Sequence, residues 1–153
     1  MWRDPIEVVP SYYRMLLGRG AKIENYTDFA DCTSDKWIQH VTGYLYDKSP
    51  TTMYFMEYRK LLADTHNEMN SMLDFMGWSV SEGNLDTAIK NSSIDEMKKQ
   101  EETMILRDLR RPGISSINKN YRFIGNKFLF EGEGQGASII ENKCRGLVSI
   151  LRA

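Results

Sequence analysis

Arg3 and Ser11 are the first residues of this chain whose types and spacing suggest chemistry. A guanidinium pairs bidentately with a phosphate, and a nearby hydroxyl adds a further hydrogen bond. The residues between them say how the two would be positioned. Asp4-Pro5 reads as a helix start, with Asp4 at the N-cap and Pro5 at the first helical position. Glu7, three residues after Asp4, completes a capping-box-like pair. Trp2 then reads as the last trace of a buried strand, with Arg3 at its carboxyl end. Ser11 falls two turns into the helix, on the side that faces back toward Arg3. Together they outline a phosphate pocket beside a strand end. The blander alternative is a solvated Arg3 and a Ser11 that eases a bend at Pro10.

Other residues invite chemistry and carry less. His40 stands one turn after Trp37 and reads as a structural, hydrogen-bonded histidine rather than a catalytic base. Cys32 and Cys144 are too few for a disulfide framework, and with His40 and His66 they show no metal-ligand spacing. No metal is expected. Gly132-Glu133-Gly134-Gln135-Gly136-Ala137 fits the dinucleotide fingerprint on paper, but that fingerprint also needs a complete βαβ unit and an acidic residue about twenty positions on. It reads here as a flexible turn. Asn25-Tyr26-Thr27 and Asn91-Ser92-Ser93 match the glycosylation triplet, which matters only in a secreted chain.

Composition bounds the function. With 153 residues, 41% hydrophobic and 27% charged, the chain reads as one ordinary soluble domain. No apolar run is long enough to span a bilayer, and Arg3, Asp4 and Glu7 interrupt any leader-like stretch, so a cytoplasmic protein is expected. A net charge of −1 argues against general nucleic-acid binding. Residues 1–97 carry a balance of −6 and residues 98–153 one of +5. A basic tail folding over an anionic ligand is one reading; a run of solvated charge is the blander one.

The elements follow from periodicity and punctuation. A first helix is expected over 5–17, kinked at Pro10 and ended by Gly18-Arg19-Gly20. Residues 21–35 look polar and irregular, with Thr33-Ser34-Asp35 as caps for a helix over 36–46 on which Trp37, Val41, Tyr44 and Leu45 share a face. Ser49-Pro50 is a turn, and Met53-Tyr54-Phe55-Met56 a short strand. Residues 65–76 form an amphipathic helix stopped by Gly77; its methionine stripe reads as core packing. Ser81 starts a short helix, and Ser93 with Glu96 caps the next, which runs to about Arg110 before Pro112-Gly113. Phe128-Leu129-Phe130 is a strand candidate, and residues 138–151 form a closing helix. The alternation of strands and helices suggests a parallel α/β arrangement.

Several of these stretches resemble the PAPS-dependent sulfotransferases of the cytosolic type, and four of them occur in the family's order. Arg3-Asp4-Pro5 with Ser11 and Tyr12-Tyr13 is similar to that family's second nucleotide motif, whose arginine and serine hold the donor's 3′-phosphate. Trp37-Ile38-Gln39-His40-Val41 has a counterpart in a Trp-x-x-His-Val helix. Tyr58 falls on the tyrosine that contacts the adenine, ahead of Leu61-Leu62-Ala63-Asp64. Asn91 to Lys98 resembles a Thr/Ser-Ser-Phe-Glu-x-Met-Lys segment that touches the adenosine, with Ser92 at the contacting position and Ile94 in place of the usual aromatic. Met72-Leu73-Asp74-Phe75-Met76-Gly77 is similar to an Ile-Leu-Glu-Phe-Leu-Gly stretch.

The departures are as informative. The family opens with a strand and a Lys-(Ser/Thr)-Gly-Thr phosphate loop that holds the 5′-phosphosulfate, and its catalytic histidine lies upstream of the Arg-Asp-Pro motif; neither stands here. Its closing Arg-Lys-Gly triad is also missing; Arg122 to Lys127 has the right residue types in the wrong order, and Arg122 could supply phosphate contact. The resemblance covers residues 1 to about 100 and fades over 101–153, so residues 1–153 read as one partial sulfotransferase domain. It implies a mostly helical α/β fragment of a P-loop NTPase-like parallel-sheet fold, with one or two parallel strands and with the N-terminal strand and P-loop missing. It implies a cofactor, PAPS (3′-phosphoadenosine 5′-phosphosulfate) or its product adenosine 3′,5′-bisphosphate, held by Arg3, Ser11, Tyr58, Ser92 and Arg122. No catalytic residue is assigned. The complete enzyme would move a sulfuryl group onto a hydroxyl or amine of a small-molecule acceptor; this chain would be inactive alone, needing a complementary N-terminal half or a missing upstream exon, and its partners would be that half or a second copy in a homodimer. The alternative is a non-catalytic helical module that binds a protein partner, or a truncated gene product.

Overall fold

The structure is a computed structural model that describes residues 1–46, 53–106, 130 and 132–153. Its helices are α1 (Pro5–Gly18), α2 (Tyr26–Leu45), α3 (Tyr58–Ala63), α4 (Thr65–Phe75), α5 (Glu82–Asn91), α6 (Ile94–Leu106) and α7 (Glu133–Arg152). They divide between two compact units. Residues 4–46, 130 and 132–153 form the bundle unit, and residues 1–3 with 53–106 form the cavity unit.

In the bundle unit, α1 starts where Asp4-Pro5 says it should. The Asp4 carboxylate accepts from the Ile6 amide at 3.1 Å, and the Glu7 amide donates to the Asp4 carbonyl at 3.0 Å. Helix α2 begins ten residues earlier than the expected 36–46. Asn25 is its cap, with Oδ1 accepting from the Thr27 amide at 2.8 Å. The buried stripe of α2 runs Tyr26, Ala30, Ser34 and Val41, so small and polar residues hold positions where apolar ones would have announced a helix. Residues 26–35 are thus helical, and only 21–25 are irregular.

Helices α2 and α7 lie side by side and run in the same direction. Tyr26 packs over Gly136, and further along both helices Lys143 reaches Asp31 at 2.6 Å and Asp35 at 2.9 Å. Buried residues repeat every four positions on each helix: Tyr26, Ala30 and Ser34 against Gly136, Ile140 and Cys144. Such i±4 ridges interdigitate when the side chains between them are small. At Gly136 even a Cβ would come within 2.2 Å of the Tyr26 ring. The glycine-rich stretch is therefore the first turn of α7, entered through Gly132 at φ 82°, and not a flexible turn. Val9 and Tyr13 of α1 complete the buried cluster, and Tyr13, Tyr26 and Phe130 pack with ring centroids 4.5–4.8 Å apart. Arg14 pairs with Glu133 across the edge of this cluster.

In the cavity unit, Trp2 and Glu57 form an isolated parallel bridge. The Trp2 amide donates to the Met56 carbonyl at 2.8 Å, and the Tyr58 amide donates to the Trp2 carbonyl at 2.9 Å. The expected strand over 53–56 is not formed, and no strand stands among the described residues. The cause is local: Pro5 opens α1 and Tyr58 opens α3, so the extended backbone is too short for a ladder. Helices α3 to α6 then follow with each packed on the next. Helix α4 keeps to its expected span. Asp64 caps it, and Gly77 at φ 67° closes it in a Schellman arrangement, with Trp78 N–H on the Leu73 carbonyl (2.9 Å) and Gly77 N–H on that of Asp74 (3.0 Å). No residue of α4 is buried, so its methionine stripe is not core packing. The Phe128-Leu129 strand candidate, residues 107–110 and Arg122 lie outside the described residues.

Candidate functional site

The bridge determines what stands next to it. Because the Tyr58 amide is bonded to the Trp2 carbonyl, the following side chain on one segment meets its counterpart on the other. The Arg3 guanidinium carbon sits 4.7 Å from the centroid of the Tyr58 ring. A cation over a phenol ring contributes about 0.5–1 kcal/mol at a partly exposed site. Two residues separated by fifty-five positions, both singled out from sequence, are thereby brought together.

Tyr58 also lines a cavity of about 480 Å³. Its walls are apolar: Leu61 and Leu62 of α3, Met69 of α4, Leu85 and Ile89 of α5. Its rim is polar, formed where α5 hands over to α6. Ser92 is the C-cap of α5, its amide donating to the Ala88 carbonyl at 3.0 Å. Ser93 caps α6, its Oγ accepting from the Glu96 amide at 3.3 Å. The Glu96 carboxylate turns outward to Lys99 at 2.5 Å, and that hydrogen bond raises the lysine pKa. Ser92, Ser93 and Asp95 all line the cavity. Sequence reasoning picked out Ser92 but missed Asp95, whose only signal is its place three residues after Ser92 in the first turn of a helix.

Ser11 is exposed on α1, within the bundle unit, and Arg122 is outside the described residues. His40 is exposed on α2 and meets Tyr44 edge to face, with centroids 5.0 Å apart. The bundle unit has a smaller cavity of about 230 Å³ between α1 and α7. Its charges offset one another, with Arg152 on Asp4 at 2.7 Å, and Cys144 at its wall has its thiol pKa raised by burial. Among the described residues no helix is long and apolar enough to cross a membrane, and no three His, Cys, Asp or Glu side chains converge on a metal position.

No curated protein and no solved structure matches the chain. The family model described as the sulfotransferase domain matches residues 1–110. That span runs from the Trp2–Glu57 bridge through the whole described lining of the cavity, and takes in well over half of the sequence. The chain belongs to the sulfotransferase domain family.

Proposed function

We propose that this chain provides the nucleoside-holding part of a sulfuryl transferase that uses PAPS. The observation that carries the reading is the stacking of Arg3 on Tyr58 at the edge of a cavity that Tyr58 and Ser92 share. The residues present fit the nucleotide. A cavity of about 480 Å³ with apolar walls and a few polar groups has the size and lining of small-molecule sites. Apolar walls suit the faces of a purine, rim hydroxyls suit its edges, and a guanidinium suits a phosphate.

When bound, PAPS supplies the sulfuryl group and leaves as adenosine 3′,5′-bisphosphate. In this reading Arg3 neutralises the 3′-phosphate, and the Ser11 hydroxyl donates to it. Tyr58 covers one face of the adenine with the side of its ring that Arg3 leaves open. Ser92 meets the edge of the adenosine, and Arg122 adds a second cation on the phosphate. The acceptor is a small molecule with a hydroxyl or an amine. The sequence holds no Lys-(Ser/Thr)-Gly-Thr loop for the 5′ end, so that end falls to residues from a complementary N-terminal half. The chain by itself transfers no sulfate.

Calorimetric titration with adenosine 3′,5′-bisphosphate tests the reading. The folded chain binds, and Arg3→Ala weakens binding at least about tenfold, the loss expected for a charge-assisted pair. Arg3→Lys, which keeps the charge and loses the fork, falls between them. A folded chain that does not bind overturns the proposal, and equal binding by Arg3→Ala removes Arg3 from it.

A further inference from the structure

Where α4 ends, the cavity unit carries a run of side chains on its surface. Every residue from 74 to 84 is exposed. Phe75, Met76, Trp78 and Val80 within that run are large and apolar, and the Trp78 side is the most open of them at 63%. The turn that bears them is ordered. Trp78 N–H is bonded to the Leu73 carbonyl across left-handed Gly77, and the Phe75 ring packs on Tyr54 with centroids 5.5 Å apart. Single exposed apolar residues are ordinary, whereas several on one ordered turn, with a tryptophan among them, make an anchor for a partner.

The surrounding charge says which partner. Residues 61–89 hold five carboxylates, Asp64, Glu68, Asp74, Glu82 and Asp86, and no lysine or arginine. Asp74 and Glu82 bracket the apolar run, and neither stands in an ion pair among the described residues. An indole face is also the strongest aromatic partner for a cation. From this pairing of apolar and acidic groups we infer that the turn over residues 74–82 docks a segment of another protein that carries Lys or Arg beside apolar side chains. The apolar side chains of that segment cover Phe75, Met76 and Val80. One of its cations lies over the Trp78 indole, and others pair with Asp74 and Glu82. An acidic segment, a nucleic acid or an anionic membrane would meet like charge there. None of the four apolar residues lines the cavity, so this surface is independent of the nucleotide reading.

The test uses two labelled peptides, one of leucine and lysine at helical spacing and one with glutamate in place of lysine. Fluorescence anisotropy follows their binding to the full chain and its variants, with circular dichroism on each. The parent chain binds the lysine peptide at least about tenfold more tightly than the glutamate peptide, and added salt weakens that binding. Trp78→Ser weakens it at least about fivefold. Asp74→Asn with Glu82→Gln weakens the lysine peptide alone and narrows the gap. Ile150→Ser, at a largely exposed side chain of α7, leaves binding unchanged. Equal binding of the two peptides overturns the inference, as does Trp78→Ser binding like the parent or Ile150→Ser losing as much. Sedimentation supplies a further check: self-association that Trp78→Ser abolishes would seat a second copy on the turn and overturn the choice of a basic partner.

Discussion

The bundle unit and the cavity unit use helices to opposite ends. In the bundle unit three helices converge on one cluster in which Val9, Ala30 and Ile140 are completely buried. Small residues every four positions let α2 and α7 approach until a ring lies on a glycine. In the cavity unit only Trp2, Met56 and Leu85 are buried among the described hydrophobics, while Trp78 is 63% and Leu62 56% exposed. Its helices are shorter and each packs mainly on its chain neighbour. The difference teaches what close packing costs in open space: a region that closes its apolar surface on itself keeps only a small cavity, and one that leaves a larger hollow gives up core to do so.

The largest test of that contrast is Ile140→Ala. Removing a fully buried branched side chain should cost about 2–5 kcal/mol, read as a lower denaturation midpoint with an unchanged slope. Next comes Gly136→Ala, which forces the Tyr26 ring to move and should cost about 1–3 kcal/mol in the same measurement. Losses confined to a few tenths would mean that α2 and α7 are not closely seated.

Tyr26 gives a pH-dependent version. Burial first, and then the Glu133 carboxylate, push its pKa up to about 12. The folded state therefore holds the phenol proton where the unfolded chain, near pH 10, releases it. Stability is intact below pH 10 and falls as pH rises toward 12, by about 1.4 kcal/mol for each pH unit of the gap. Tyr26→Phe should abolish that alkaline slope. At neutral pH it should cost little or raise stability slightly, since the buried hydroxyl has no hydrogen-bond partner among the described residues. Urea midpoints for both proteins from pH 7 to 12 check this. The smallest effect is expected in the cavity unit: Trp78→Ser, at a largely exposed ring, should change stability by less than about 0.5 kcal/mol.

Much of the local structure was legible because it rests on single residues. Asp4, Ser81, Ser93 and Gly77 begin or end the helices they announce. The start of α2 was hidden because its buried face is carried by Ala30 and Ser34, whose role appears only once Gly136 and Cys144 are known to lie opposite. The strand over 53–56 was misjudged for a related reason: β-rich residues favour a strand only where a partner segment runs long enough to pair with them. Arg3, Tyr58 and Ser92 were legible through motif order, not through any local rule.

The single Trp2–Glu57 rung has a consequence in time as well as in space. It joins positions fifty-five residues apart with two backbone hydrogen bonds, so its loop-closure entropy is large relative to the contacts that reward it. Helices α1 to α5 are local and can form first, whereas the rung forms only when distant segments have met. Arg3 and Tyr58 are thus among the last neighbours to be introduced during folding, and among the first to separate when the Trp2 and Tyr58 amides let go. A slip of one residue at that rung would turn Arg3 to the opposite side. An anion that bridges to Arg3 would hold the register, and the exchange rates of those two amides would report its arrival.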